Sequence, residues 1–219
     1  LYLGDGTNRA TTLCPQLQSF GWSVKVLSME SIPTSNVMTL SALSISATTI
    51  DPSFVFPTGL TSLSLDSFAL GRNISRLPTS LVECFFRVVS DCDFSHLTRL
   101  TSLRLNWSWV QCRVTFPTQL KHLCVYDKMV DESNLADVAL ESFSFTDESL
   151  TAEDLQKLPK TLRTIKAYFT PETLELQLKD FFPLLTIKRV RYPRTPKPRP
   201  EWKKFFDRLF HSILCGHGN

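Results

Sequence analysis

The fold of this chain is decided by a motif that is clearest in residues 56–65, which read Phe56-Pro57-Thr58-Gly59-Leu60-Thr61-Ser62-Leu63-Ser64-Leu65. Leucine occupies the first, fourth and sixth positions of the hexamer that begins at Leu60. In an extended strand, successive side chains point to opposite faces. We therefore predict that the fourth and sixth residues point into a core, whereas the third and fifth point outward.

The same hexamer recurs along the chain with apolar substitutions. Its eight copies begin at Leu17, Leu40, Leu60, Leu81, Leu100, Leu120, Leu140 and Leu162, at separations of 23, 20, 21, 19, 20, 20 and 22 residues. Partial copies are present at residues 1–3 and 184–187. A fixed period predicts a repeat solenoid, in which each unit packs on its neighbours. The alternative is an ordinary β-sandwich with a strand every twenty or so residues.

This frame resembles the leucine-rich-repeat family, whose period is about 20–29 residues, over nearly everything before residue 188. The resemblance implies an α/β solenoid. It would be a right-handed coil of eight complete repeats and partial end units, with a parallel concave sheet and a mostly irregular convex side. In the family pattern, an asparagine or cysteine lies three residues after the third leucine. This chain departs from that pattern, because the corresponding positions hold Lys25, Thr48, Phe68, Val89, Ser108, Lys128 and Glu148.

The segments between the hexamers carry turn and helix signals. Proline precedes the first leucine by three residues in four copies, and because it fixes φ and lacks a donor it favours a turn into the strand. Residues 67–76 are helix-poor, which predicts an extended or 3₁₀ segment. Two short helices are predicted late in the chain, one after a capping box at Thr151 and one with Leu174, Leu178 and Phe181 on one face.

Charge divides the chain into a body and a tail. Residues 1–187 carry 15 Lys and Arg against 19 Asp and Glu, whereas residues 188–219 carry 9 against 2. We predict a solenoid over residues 1–187 that is truncated at its N-terminal end, a basic proline-rich linker over 188–200, and an amphipathic helix over 201–219. The helix would place Trp202 and Phe206 opposite Lys203, Lys204 and Arg208.

The tail helix has two competing interpretations. It either caps the last coil of the solenoid or inserts its aromatic face into an anionic membrane surface. Nucleic-acid binding through the same basic and aromatic residues is a further alternative. If the helix is a cap, deletion of residues 200–219 lowers the melting temperature and promotes aggregation. Unaltered stability together with lost liposome binding would favour the membrane.

The sequence contains no constellation that is typical of catalysis. Its four histidines lack metal-ligand spacing, and there is no nucleophile elbow, P-loop or dinucleotide-binding motif. We therefore expect a chain that is not an enzyme and that uses no cofactor, metal or small-molecule substrate.

Cysteine usage bears on the compartment. The six cysteines include no Cys-x-x-Cys pair, and they are Cys14, Cys84, Cys92, Cys112, Cys124 and Cys215. We expect reduced thiols and a cytoplasmic location, with Cys92 and Cys112 stacked on successive coils as the closest pair. Glycosylation-type triplets at Asn73 and Asn106 leave a secreted or extracellular protein open.

The outward positions of the middle copies are bulky, whereas those of the flanking copies are mostly small. Aromatic and arginine side chains are typical of interaction hot spots. We predict a protein-binding site on the concave face formed by Glu83, Phe85, Arg87, Arg104, Asn106, His122 and Tyr126. Phe85 would stack on Arg104, and Arg87 would lie beside Asn106 and Tyr126. A solvated face with no partner is the alternative to this interaction-module or scaffold role.

Overall fold

The computed structural model describes residues 2–3, 18–27, 40–66, 71–88, 91–107, 113–126, 134–145, 154, 156–167 and 178–189. The chain forms two compact units, Leu1–Arg189 and Val190–Asn219, and every described residue belongs to the first. The predictions for the tail helix, including Trp202, Lys203, Lys204, Phe206 and Arg208, fall outside the described residues.

The main sheet has ten parallel strands arranged in chain order. They are β1 (Tyr2–Leu3), β2 (Ser19–Leu27), β3 (Ala42–Ile50), β4 (Ser62–Asp66), β5 (Glu83–Val88), β7 (Ser102–Trp107), β9 (His122–Val125), β10 (Ser142–Phe145), β11 (Thr164–Ala167) and β12 (Thr186–Arg189). Among the described connecting segments, the opposite wall contains β6 (Cys92–Asp93), β8 (Val114–Thr115) and two 3₁₀ helices, η1 (Gly71–Arg76) and η2 (Leu135–Asp137). Each copy of the hexamer, and each partial copy, therefore contributes one strand to the main sheet.

The strand register confirms the predicted alternation. Leu63 of β4 pairs with Leu43 of β3, and Leu103 of β7 pairs with Leu123 of β9, so the fourth residues of successive hexamers are aligned. The predicted spine is buried throughout, at 0–2% exposure, and consists of Leu60, Leu63, Leu65, Leu100, Leu103, Leu105, Leu120, Leu123 and Val125. This part of the chain is a parallel-sheet solenoid.

The expected α/β character is corrected by the structure. In the part of the chain that is described, α-helix is limited to residues 154, 156 and 178–181. The 3₁₀ helix at Gly71–Arg76 confirms the prediction for that segment. In the late helix, Leu178 is buried as predicted, but Phe181 is 47% exposed and Phe182 takes the buried position. The described part of the solenoid therefore contains little helix.

A turn led by proline delivers the chain into several strands. The carbonyl of Pro57 accepts a hydrogen bond from the backbone N–H of Leu60 at 3.3 Å, and Pro117 and Leu120 repeat the contact at 3.1 Å. Leu97 and Leu100 form the same turn without proline, at 3.0 Å. Proline is therefore favourable at this position because its N–H is not needed, but the turn does not require it.

Backbone hydrogen bonds join consecutive coils where the strands begin. The carbonyl of Ser41 accepts from the N–H groups of both Thr61 and Ser62, at 2.8 and 3.0 Å. The same double contact recurs between later coils, as at Thr101, whose carbonyl accepts from Lys121 and His122. These bonds satisfy backbone groups that would otherwise be buried without partners.

Polar side chains extend this ladder with hydrogen bonds to backbone groups. The hydroxyl of Thr161 donates to the carbonyl of Leu140 at 2.9 Å, and the Gln119 amide donates to Leu97 at 2.8 Å. On the opposite wall, the Asn134 side chain accepts from the N–H of Phe116 at 2.7 Å and donates to its carbonyl at 2.9 Å. Buried backbone is thus satisfied by side chains at different positions of the repeat.

Replacing Thr161 by valine tests this ladder. Valine keeps the shape but leaves the Leu140 carbonyl without its donor, so we expect the free energy of unfolding to fall by about 0.5–1.5 kcal/mol. Thr98→Val is the control, because Thr98 is an exposed residue of the entry turn. Chemical denaturation of both variants measures the difference. Equal stability of the two variants would contradict a stabilising role for the ladder.

The two-stranded sheet on the opposite wall was not predicted. Within it, Cys92 pairs with Val114. Cys112 lies outside the described residues, so the predicted stack of Cys92 on Cys112 stays a prediction. Cys92 is buried, at 5% exposure.

Candidate functional site

Three residues of each repeat form the outer face of the sheet. Counted from the leading leucine of the hexamer, they are the third, the fifth and the seventh residue. From β3 to β12, every described residue at these positions is half-buried or exposed. The strand register arranges them in rows that cross the sheet, with one residue per strand at intervals of about 4.8 Å. We call this surface the outer face.

An aromatic pair crosses the middle of the outer face. The rings of Phe85 on β5 and Tyr126, which directly follows β9, are 6.4 Å apart and nearly perpendicular, at 85°. Strand β7 lies between β5 and β9, so the two side chains reach across it from either side. Edge-to-face contact is a favoured arrangement for aromatic rings. The sequence predicted both residues for the site, but not their contact.

Arg87 and Asp66 form the most buried ion pair on the outer face. The Nε atom of Arg87 lies 3.0 Å from Oδ1 of Asp66, and the two side chains are 13% and 20% exposed. In the ladder Arg87 lies opposite Asn106, as predicted. Asp66 occupies an outward position of a flanking copy and was not among the predicted site residues. The signal that could have identified it is its carboxyl group at the position next to Arg87 in the row.

Arg104 and Glu83 form a second, more open pair. The Nη2 atom of Arg104 lies 3.8 Å from Oε1 of Glu83, and both side chains are about half exposed. Phe85 and Arg104 are paired residues of β5 and β7. The ring contact of Phe85 is nevertheless with Tyr126, and the predicted stacking of Phe85 on Arg104 is corrected accordingly.

Burial changes the ionisation of Asp66. Desolvation raises the pKa of its carboxyl group, and the neighbouring Arg87 guanidinium offsets only part of that rise. Burial disfavours the charged form of a carboxyl group, whereas a nearby cation favours it. Arg87 therefore favours the charged form of Asp66, against the larger effect of burial.

The thiols in this region are not suited to nucleophilic chemistry. Desolvation raises the pKa of Cys124, although a hydrogen bond from Tyr126 and the charges of Arg104 and Lys166 act in the opposite direction. Burial likewise raises the pKa of Cys84 on β5. A thiol reacts as its thiolate, so both groups stay largely in the unreactive protonated form at neutral pH.

The exposed His122 completes the set of predicted site residues on β9. It pairs with Ser102 on one side and Ser142 on the other, so hydroxyl groups flank it in the row. Over the described ranges, no group of three or more His, Cys, Asp or Glu side chains is placed to hold a metal ion. Within those ranges, no helix has the length and apolar character that crossing a bilayer requires.

Two lysines near the end of the sheet were missed in the sequence. Lys166 on β11 pairs with Lys188 on β12, and both are exposed on the outer face. Each occupies the fifth position of its hexamer, so the frame itself carried the signal. Lys188 had been assigned to the tail because the last copy is degenerate, and its strand places it in the sheet instead.

Comparison with known proteins adds no relative. No family model matches the chain, and neither a curated protein nor a solved structure matches it.

Proposed function

We propose that this chain is a non-catalytic interaction module of the leucine-rich-repeat type that binds a protein partner through the outer face. The observation that carries the proposal is the combination of the Phe85–Tyr126 pair with the Arg87–Asp66 ion pair on one exposed sheet surface. Interfaces obtain most of their binding energy from a few aromatic and arginine residues surrounded by near-neutral contacts. The outward positions of the flanking strands are mainly serine, and these small side chains correspond to the near-neutral contacts around a hot spot.

The contacts within the face support this proposal because they limit side-chain motion. Phe85 and Tyr126 hold each other edge to face, and Arg87 is held by Asp66 at 3.0 Å. Binding immobilises side chains at a cost of about 0.5–1.5 kcal/mol each when they are mobile beforehand. A partner that docks on these residues avoids part of that cost.

The leucine-rich-repeat assignment rests on the register of one parallel strand per copy of the hexamer. The hydroxyl and amide contacts at the strand entry take the place of the asparagine ladder. The repeat would therefore be atypical, because a different row of polar side chains donates hydrogen bonds to the backbone.

The test is the double variant Arg104→Glu with Tyr126→Ala in the 219-residue chain. A partner isolated with the wild-type protein is purified, and its Kd is measured by titration calorimetry for both proteins. We expect the double variant to weaken binding by about 30-fold or more, which corresponds to the 2 kcal/mol typical of a hot spot. Circular dichroism should show that the double variant remains folded, because both side chains lie on the outer face and not in the core.

Ser142→Ala is the matched control, since Ser142 lies on the same face of β10 and lacks a bulky group. Its affinity for the partner should equal that of the wild type. An unchanged Kd for the double variant would reject the outer face as the binding site.

The basic tail supports a second proposal, in which residues 190–219, which follow β12 in the chain, associate with a membrane surface or a nucleic acid. Its charge is the supporting observation, with seven Lys and Arg against two Asp and Glu. Polybasic segments bind anionic surfaces with strongly salt-dependent affinity.

For the compartment we propose the cytoplasm, because neither Cys84 nor Cys124 forms a disulfide in the structure.

A further inference from the structure

The last five strands of the sheet present an outer face without acidic residues. In β7, β9, β10, β11 and β12, the third residues of the hexamers form one row and the fifth residues form another. The first row contains Ser102, His122, Ser142, Thr164 and Thr186. The second, which we call the basic row, contains Arg104, Cys124, Ser144, Lys166 and Lys188. These ten positions hold three permanent cations and no carboxylate.

The cations of the basic row are only partly neutralised. Arg104 reaches Glu83 on β5 at 3.8 Å, with both side chains half exposed. Lys166 and Lys188 are exposed, and neither has an ion pair with another described residue. They are also direct neighbours in the ladder. Like charges directly opposite each other in a sheet are unfavourable, so an anion bound between them would relieve repulsion.

Two cations of the basic row act on a residue that lies between them. Burial raises the pKa of the Cys124 thiol, and the charges of Arg104 and Lys166 both act in the opposite direction. The hydroxyl groups of Ser144 and Thr164 are half-buried beside them. Hydroxyl donors and cations together are suited to carboxylate oxygens, which accept hydrogen bonds from both.

We infer that the basic row binds an extended acidic segment of the protein partner, an inference that rests on the proposed function. Five strands span about 19 Å at intervals of about 4.8 Å, which matches about six residues of extended polypeptide at about 3.3 Å each. A short acidic segment fits this length. A nucleic acid would extend beyond the row over a body that carries 15 Lys and Arg against 19 Asp and Glu in residues 1–187.

The test uses the full chain and a fluorescent peptide of about eight residues with alternating glutamate and serine. Its binding is measured by anisotropy at low and high salt. The double variant Lys166→Glu with Lys188→Glu should lower the affinity about ten-fold or more, and high salt should weaken wild-type binding. The matched control, Arg99→Glu with Lys160→Glu, changes the net charge equally at exposed turn residues outside the outer face, and should retain most of the affinity.

The outcomes separate this inference from the proposed function. Equal losses in both double variants would show a general charge effect and overturn the inference. An oligothymidylate that binds more tightly than the peptide and is released by the Lys166 and Lys188 changes would overturn it in favour of nucleic acid. If the partner's Kd responds to the Arg104 and Tyr126 changes but not to the lysine changes, the inference fails while the proposed function stands.

Discussion

Replacing Leu103 by alanine should lower the free energy of unfolding by about 2–5 kcal/mol, the range for removing a buried leucine side chain. Leu103 is 0% exposed and lies at the centre of the sheet, between Cys84 of β5 and Leu123 of β9. Each coil of a solenoid is stabilised by its neighbours, so a cavity in a middle coil weakens two interfaces. Chemical denaturation followed by circular dichroism measures the loss.

Ser102→Ala is the control for this experiment. Ser102 precedes Leu103 on the same strand, but its side chain lies on the outer face and is half-buried. We expect its effect to remain within about 0.5 kcal/mol. A cost for Ser102→Ala that equals or exceeds the cost for Leu103→Ala would mean that the strand register is wrong.

Replacing Arg87 by methionine should cost about 1–3 kcal/mol, because it leaves the Asp66 carboxylate largely buried without the cation that lies 3.0 Å away. Methionine preserves the length of the apolar stem, so the loss reports mainly on charge. Arg104→Met breaks the second ion pair of the face, in which both side chains are about half exposed. Exposed ion pairs contribute about 0–1 kcal/mol to the free energy of unfolding. Arg104→Met is therefore the matched control, and its cost should fall within that range.

The pH dependence of the Arg87→Met effect distinguishes electrostatics from packing. The folded state raises the pKa of Asp66, so from this site alone the protein is most stable below the carboxyl group's ordinary pKa and loses stability as pH rises through the raised value. Removal of Arg87 raises that pKa further. The stability difference between wild type and Arg87→Met should therefore shrink as the solution is acidified and Asp66 becomes neutral.

Carboxyl NMR of Asp66 measures the titration directly in both proteins. The pKa of Asp66 should be higher in Arg87→Met than in the wild type. A stability difference that is independent of pH, with an unshifted titration, would show that Arg87 acts through packing alone.

The spacing of leucines was enough to predict the strands, their alternation and the buried spine. This succeeded because a period-2 pattern repeated every twenty or so residues admits one register, and a slip by one residue would expose Leu63 and Leu65 while burying Ser62 and Ser64. The same frame located the outward positions of Phe85, Arg104 and Tyr126. The family pattern overstated the helix, because turn and 3₁₀ segments are sufficient to link many of these short repeats.

The partners of the outward side chains were decided only by the tertiary structure. Phe85 and Tyr126 lie on either side of one intervening strand, β7, so their contact depends on side-chain rotamers rather than on sequence spacing. The pairing of Arg87 with Asp66 depends on which neighbouring strand offers a carboxylate within reach. The pKa of Asp66 depends on how much water is excluded from its carboxyl group by burial. Local periodicity determined which face each residue occupies, whereas contacts between coils determined which residues act together.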